Sequence, residues 1–360
     1  MTGRVIVIGA SHGGIAALCA LLKQLPANFP SPIFIAQHIG ANSAGGLPRI
    51  LGRAGQLPAV HPKNMEMIQG GRVYVAPPDF HMLVQRGYVW LSRGPRENNV
   101  RPAIDPLFRS AASAYGPAVV GVVLTGHLDD GTAGLMAIKD RGGIAVVQDP
   151  SEASAPSMPR SAQAHVCIDH CCKLAEMGEI LVDLANDDAD ARASAPDSLI
   201  EVETRIAGGE FELADWYDFE KHSVPSGWNC PDCHSALFEA LDNRMTRFRC
   251  RSGHAFTARS LLEAFAESKE RRLAGLFGAL IEEATLARRV LNTSADRSVD
   301  LLNALTERTR QIEREATKTG QLLRLSSLFD HDAQAIRGSL RDIVDNEMTG
   351  SEIRDTEPHG

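Results

Sequence analysis

Four consecutive β-branched residues, Val5-Ile-Val-Ile8, run straight into Gly9-Ala-Ser-His-Gly-Gly14 and then into a stretch with Ile15, Leu18, Leu22 and Leu25 on one helical face, stopped at Pro26. A strand that is apolar on both faces has to be covered on both, and a helix that follows a glycine turn has to fold back over the sheet. This unit commits the chain to a parallel sheet flanked by helices. Ile33 to Ala36, Val73 to Ala76, Val119 to Leu124 and Ile144 to Val147 are the next strand candidates, and Tyr88 to Leu91 close behind His81 to Gln85 predicts a hairpin at one sheet edge.

At 360 residues the chain has room for two or three domains and a sizeable core without disulfide staples. It is 44% hydrophobic and 23% charged, with a mean hydropathy of -0.14, the balance of a soluble globular protein. No apolar run approaches the roughly 18 residues of a membrane helix, and Arg4 to Ile8 lacks the cleavage pattern of a signal peptide. The expectation is a cytoplasmic protein without membrane insertion. Cysteines number 7, an odd count with three in a metal-like cluster, which fits a reducing compartment. Residues 1–185 carry 15 Lys+Arg against 13 Asp+Glu and the rest carry 22 against 32, so the excess negative charge lies in the second half and argues against a nucleic-acid partner.

Residues 1–185 are expected to form one α/β domain, a doubly wound parallel sheet with helices on both faces. Residues 186–227 turn acidic and rich in small residues, which reads as a linker with one short strand near Ile200 to Ile206. Residues 228–256 form a compact cysteine/histidine module. Residues 257–350 are helical, with one stripe of Leu273, Leu276, Phe277, Leu280 and Ala284 and another of Leu302, Leu305, Ile312, Ala316 and Leu323. A turn at Asn292 to Asp296 between them predicts a helical hairpin, and the last ten residues are expected to fray.

The glycine turn after the first strand carries Ser11. A serine on such a turn has an exposed hydroxyl, and the N–H groups at the start of the helix face any oxyanion formed beside it. Gly9 and Gly14 also occupy the outer positions of a dinucleotide-binding glycine loop. Serine replaces the middle glycine, however, and the first 65 residues contain no acid that could hold a ribose. His38 follows the second strand, and Asp130, in Leu124-Thr-Gly-His-Leu-Asp-Asp130-Gly131, follows another. Residues just past the carboxyl ends of neighbouring strands meet over one crevice, so a hydroxyl, a base and an orienting carboxylate can assemble there. The chain order Ser, His, Asp differs from that of the α/β-hydrolases.

Val5-Ile-Val-Ile-Gly-Ala-Ser-His-Gly-Gly14, Gln37-His38, Arg101-Pro-Ala-Ile-Asp105 with Leu107-Phe-Arg-Ser110, Val123-Leu-Thr-Gly126 with Asp130-Gly131, and Gln148-Asp149 with Met158-Pro-Arg160 resemble the catalytic domain of CheB-type chemotaxis protein-glutamate methylesterases. The resemblance covers roughly residues 1–185. It implies a serine hydrolase that needs no catalytic cofactor and demethylates γ-glutamyl methyl esters on methylated chemoreceptor helices, releasing methanol, often with deamidation of receptor glutamines. Carried over by position, Ser11 is the nucleophile, His38 the base and Asp130 its partner. His12, His127, Arg101 and Met158 are expected around the oxyanion and substrate pocket. Arg101 could read acidic receptor neighbours or form a structural salt bridge beside Asp105.

Family members usually begin with a phospho-receiver domain, and none is seen in this sequence, so control is expected to come from residues 186–360. The family's Thr-Gly-Met-Gly segment reads Thr125-Gly-His127-Leu128 here. If the replaced glycine has φ above zero, Leu128 is strained or reshapes the loop. One rival reading follows, a non-catalytic signalling adaptor with a degenerate site. Another is hydrolysis at a metal held by His12, His38, His127 and Asp130.

Cys230-Pro-Asp-Cys233 and Cys250-Arg-Ser-Gly-His254 present two short turns with two soft ligands each, the pattern of a closed tetrahedral zinc site. Four protein ligands leave no open position, so the expected zinc is structural. His234 is the rival to His254. Cys19, Cys167, Cys171 and Cys172 read as plain thiols.

Overall fold

A computed structural model describes residues 3–187, 198–293 and 302–324. They divide into two compact units, one running through Ala264 and one beginning at Phe265.

The first unit opens with β1 (Val5–Ala10), α1 (Gly14–Leu22), β2 (Ile33–Gln37), α2 (Leu47–Ala54), β3 (Ala59–Val60), β4 (Glu66–Met67) and β5 (Val73–Val75). It continues with β6 (His81–Gln85), β7 (Tyr88–Ser92), α3 (Ile104–Tyr115), β8 (Val119–Val123), α4 (Thr132–Asp140), β9 (Ile144–Gln148), α5 (Ser157–His165), β10 (His170–Cys172) and α6 (Leu174–Asn186). Seven strands pair in the order β10-β9-β8-β1-β2-β5-β3, every pairing parallel. The chain moves from β1 outward through β2 and then returns to β8 on the other side of β1. The carboxyl ends of β8, β1 and β2 therefore open on the crevice where the winding reverses.

The alternation of side chains along β1 explains its unbroken apolar run. Val5 and Val7 pack with Leu107 and Phe108 of α3, whereas Ile6 and Ile8 pack with Leu18 and Leu21 of α1 and Met177 and Leu181 of α6. Each fully buried side chain of this size contributes roughly 1.5–3 kcal/mol. Ile15, expected on the buried face of α1, is 41% exposed. The buried stripe instead runs through Gly14, Ala17, Leu18, Leu21 and Leu22, because the helix starts at Gly14, pressed against Ala10 and Gln37 where a side chain has no room.

β6 and β7 form the expected hairpin, but it pairs with β4 in a separate three-stranded sheet and not with the edge of the main one. Met82, Val84 and Val89 join the core with α3, and Ser110 of α3 accepts the Val84 N–H at 3.0 Å. β10, short and polar, gave no strand signal.

The segment read as a linker folds instead into α7 (Ser198–Gly208) and α8 (Leu213–Lys221). Residues 188–197 lie outside the described residues. The strand expected near Ile200 to Ile206 is helical because Val202 and Ile206 repeat at helical spacing, and both pack with Trp216, Phe219 and Phe238. A capping box of Glu212 and Asp215 starts α8. β11 (Ser223–Asn229), β12 (Ala236–Ala240), β13 (Arg247–Cys250) and β14 (Ala255–Thr257) then form an antiparallel sheet in that order, followed by α9 (Ala258–Thr293).

This sheet is fastened to the parallel-sheet half by buried charge. Glu97 takes Arg109 at 2.7 Å and Arg249 at 3.1 Å, and Glu203 takes Arg249 and Arg247 at 3.1 Å each. Instead of ending near residue 185, as expected, the compact unit extends through Ala264. The reason is that Glu97 and Arg109 find the rest of their partners on α7 and β13.

In the second unit, Leu280 and Ala284 of α9 pack against Ile312 and Ala316 of the helix over 302–324, with Arg288–Glu313 and Arg308–Glu283 ion pairs beside them. That is the expected hairpin. Its turn lies mostly outside the described residues, as do residues 325–360, and Leu276 of the first stripe is 51% exposed.

Removing one member of a buried ion network strands its partners at a cost of about 3–5 kcal/mol. Arg249→Met is therefore expected to lower urea-unfolding stability by about 3 kcal/mol. A loss under about 1 kcal/mol would mean that the network holds nothing.

Candidate active site

Ser11 sits on the turn between β1 and α1. Its N–H donates to Thr125 O at 3.0 Å, and its carbonyl accepts Gly14 N–H at 2.9 Å and Gln37 Nε2 at 2.9 Å. Gly13 supplies the left-handed residue at φ 75° that lets the chain enter the helix. A side chain on Gly126 would collide with Met158 and with Ser11 Cβ, so the two loops touch backbone to side chain directly beneath the serine. α1 begins at Gly14, three residues after Ser11, so the positive end of its dipole lies beside the serine turn.

His38, one residue past β2, is held by its N–H to Ala10 O at 3.1 Å. Its Nδ1 stands 3.0 Å from Ser11 Oγ and its Nε2 2.7 Å from Asp130 Oδ2. With Nε2–H donated to Asp130, Nδ1 carries the lone pair that faces the hydroxyl. Asp130 is fully buried. Beyond His38, its carboxylate accepts the N–H groups of Ile104 at 2.7 Å, Asp105 at 3.2 Å and Gly131 at 3.0 Å, and Asn98 Nδ2 at 3.0 Å. Burial pushes its pKa up, but His38 and these donors outweigh it and hold the carboxyl down at about 2. Asp105, next to it, is pushed well above the usual carboxylate range by burial and by the Asp130 charge. Asp129 points elsewhere and accepts the Thr257 hydroxyl at 2.8 Å.

Ser11, His38 and Asp130, expected from sequence, are thus brought together. The expected pocket residues are not all where they were placed. His12 and His127 are exposed with ring centroids 4.9 Å apart, beside the serine turn. Met158 is fully buried, packed under Gly126 as core and unable to line a pocket. Arg101 spans Asp79 at 2.7 and 3.1 Å and donates to the carbonyls of Arg93 and Gly94. It is a structural clamp, with Asp79 and not Asp105 as its partner. Leu128 does adopt φ 63°, the glycine-like conformation, and the triad is assembled nonetheless.

Sequence reasoning missed Asn98, Asp105 as a hydrogen-bonding group, and His81. Burial pulls the pKa of His81 down to about 4, and it ties Pro95 O and Ala103 N–H together from the floor of the 95–103 loop. The only local hint of Asn98 is the Asn98-Asn99 pair, both at positive φ, which asparagine tolerates best among non-glycine residues.

The four cysteine and histidine candidates also converge. Cys230, Cys233, Cys250 and His254 offer ligand atoms all within 4.8 Å of one another, and His234 is outside the group. Cys233 Sγ to Cys250 Sγ and Cys250 Sγ to His254 Nδ1 are 3.5 Å each. Bonds of about 2.3 Å to a tetrahedral ion put vertices roughly 3.7 Å apart, so these residues fit zinc. The hydrogen bond between Cys250 and Cys230 holds the Cys230 thiol low and pushes that of Cys250 up, as expected of sulfurs crowded together. Among the described residues, His12, His38, His127 and Asp130 do not form such a group.

Residues 6–181 match the CheB methylesterase family. A Leptospira interrogans protein of the methylesterase/glutaminase name is 42% identical over 193 residues, 53% of this chain and 100% of its own. The chain belongs to the CheB methylesterase family. The Anaeromyxobacter dehalogenans protein-glutamate methylesterase/protein-glutamine glutaminase 2 is 38% identical over 180 residues, 50% of this chain and 53% of its own length. The crystal structure of the Thermotoga maritima CheB methylesterase catalytic domain is 33% identical, with a TM-score of 0.49 over 51% of this chain and 100% of that one. The CheB match stops at residue 181, so the sheet of β11 to β14 lies beyond it.

Burial pushes Asp129 up to about 6, against the pull of the Thr257 hydroxyl. A carboxyl raised in the folded state contributes stability that is full below its ordinary 3.8 and is lost as pH rises through 6. Asp129→Asn, which keeps an acceptor for Thr257, is therefore expected to exceed the wild type in stability at pH 8 by on the order of 1–3 kcal/mol, with the gap closing by about pH 4. Urea titrations at the two pH values measure this, and equal stabilities at pH 8 would refute it.

Proposed function

We propose that this chain is a serine esterase that hydrolyses γ-glutamyl methyl esters on chemoreceptor helices, releasing methanol, and deamidates receptor glutamines at the same site. The observation that carries the proposal is the continuous Ser11–His38–Asp130 relay, at 3.0 and 2.7 Å, across the carboxyl ends of β1, β2 and β8. The names of the relatives supply the substrate class. Nδ1 of His38 takes the Ser11 proton as Oγ attacks the ester carbonyl, and Nε2–H donates to the Asp130 charge that stabilises the imidazolium. The tetrahedral intermediate expels methoxide, which leaves as methanol with the proton from Nδ1. Water, deprotonated by the same nitrogen, then releases glutamate and restores Ser11. An amide substrate loses ammonia in place of methanol. The reading as a bare adaptor rested on Leu128, and the intact relay removes its motive. The unpaired state of all seven cysteines supports a cytoplasmic setting.

Methanol release from a methyl-esterified receptor fragment tests this directly. Ser11→Ala is expected to lower kcat by about 10⁶-fold with folding intact, and Asp130→Asn by roughly 10⁴-fold through a mis-set His38 tautomer. Full activity in Ser11→Ala, or Asp129→Asn proving more damaging than Asp130→Asn, would overturn the assignment.

Cys230, Cys233, Cys250 and His254 are proposed to hold one structural zinc, closing the turns between β11 and β12 and between β13 and β14. It would take no part in bond making. Elemental analysis of protein purified under reducing conditions is expected to find one zinc per chain, and its removal to open residues 223–257 to protease. Absence of stoichiometric metal would end this idea.

A further inference from the structure

The start of α9 bears on the triad. The Ser260 hydroxyl donates to Asn98 Oδ1 at 2.8 Å, and the Thr257 N–H donates to the same oxygen at 3.1 Å. With its oxygen so occupied, the Asn98 amide keeps one orientation, in which Nδ2 donates to Asp130 Oδ1 and to Asp105 Oδ2 at 3.0 Å each. The opposite flip would turn the amide oxygen on the Asp130 carboxylate and the NH2 on the Thr257 N–H, a repulsion at each end. The Thr257 hydroxyl meanwhile donates to Asp129, while its oxygen caps α9 by accepting Ser260 N–H at 3.0 Å. The backbone joins as well, for Asn98 N–H donates to Ala255 O at 2.8 Å and Ala255 N–H to Arg96 O at 3.2 Å, so residues 96–98 lie along β14. Asn98, Thr257 and Ser260 are all buried, so water does not compete for these bonds.

We propose that Thr257 and Ser260 are positioning residues of the esterase, fixing the Asn98 amide, which fixes Asp130 and through it the His38 ring facing Ser11. The sheet that carries the cysteine and histidine ligands is then a working part of the active site. The inference rests on the esterase reading of the triad.

The test uses the full chain and three readouts: methanol release, the rate at which a fluorophosphonate labels Ser11, and the low-field proton resonance of His38 Nε2–H. Ser260→Ala, which removes the hydroxyl donor to Asn98 Oδ1, is expected to slow labelling and lower kcat about 3- to 10-fold with KM unchanged and to shift the His38 resonance. Thr257→Val keeps the N–H that reaches Asn98 but loses the cap on Ser260 N–H that places it, and is expected to move the same readouts by less. Thr257→Ser, which keeps cap and hydroxyl, is expected to match the wild type on every readout. A general loss of fold would not be rescued in this way, and if Thr257→Val fails to fold, Ser260→Ala decides. An unmoved His38 resonance with wild-type labelling in Ser260→Ala overturns the inference, whatever the wild type hydrolyses. Failure of the wild type on receptor esters would instead take down the esterase reading, with the His38 resonance still deciding the geometry.

Discussion

A carboxylate withdrawn from water must be met by donors on every side, and Asp130 is the charge around which this molecule is arranged. Its donors come from β2's exit loop, from the 98–105 segment and from the start of α4. No two of these are close in the chain, so the fold has to close before the carboxylate is satisfied. The neighbouring Asp105 divides the work. With Asp130 holding the charge, a second carboxylate in the same pocket is pushed toward its neutral form, yet it still accepts Gly131 N–H at 3.0 Å and Gly134 N–H. Raising Asp105 in this way favours the Asp130 charge that faces His38 and lessens the repulsion between the two carboxyls.

What was legible in the sequence was whatever is encoded locally. β1 and its glycine turn announce themselves because apolar alternation on both faces and left-handed backbone leave residue-level marks, and Ser11, His38 and Asp130 each follow a strand that could be read. The clustering of Cys230, Cys233, Cys250 and His254 was legible because the pattern of a metal site is written in fixed short spacings. α7 and α8 were misread because the acidic character of residues 186–227 outweighed the helical spacing of Val202, Ile206, Trp216 and Phe219. Arg249 left no mark, and Asn98 only the Asn98-Asn99 pair. Each has one partner more than 150 positions away, Ser260 for Asn98 and Glu97 for Arg249, and no periodicity points across such a distance.

Leu128 shows how a local rule can be broken without breaking the site. A left-handed leucine costs about 1–2 kcal/mol, and the loop around it is pinned on both sides. Thr125 donates its N–H to Gln148 and its hydroxyl to His12 O, while Asp129 and Asp130 are buried immediately after it. The strain is therefore held between two fixed segments, at the half-buried Leu128 next to the exposed His127, whose ring lies beside His12. Variation in this loop alters the rim of the crevice and leaves the relay beneath it alone.

The sheet of β11 to β14 has little core of its own, and two of its buried members, Cys230 and Cys250, are themselves candidate ligands. A scaffold of that size cannot hold a side chain to the few tenths of an ångström that an oriented hydrogen bond demands unless it is fixed from outside. It is fixed at two places. The Arg249 network grips β13 from the side of α3 and α7, and the ligand turn of Cys250 and His254 lies directly between β13 and β14. Thr257 is the last residue of β14, three positions beyond His254, so any loosening of that turn is carried to the Asn98 amide within one short strand. The candidate ligand turn, the buried charge and the Asp130 carboxylate are in this way joined by one continuous path of contacts, although their residues come from opposite ends of the first unit's sequence.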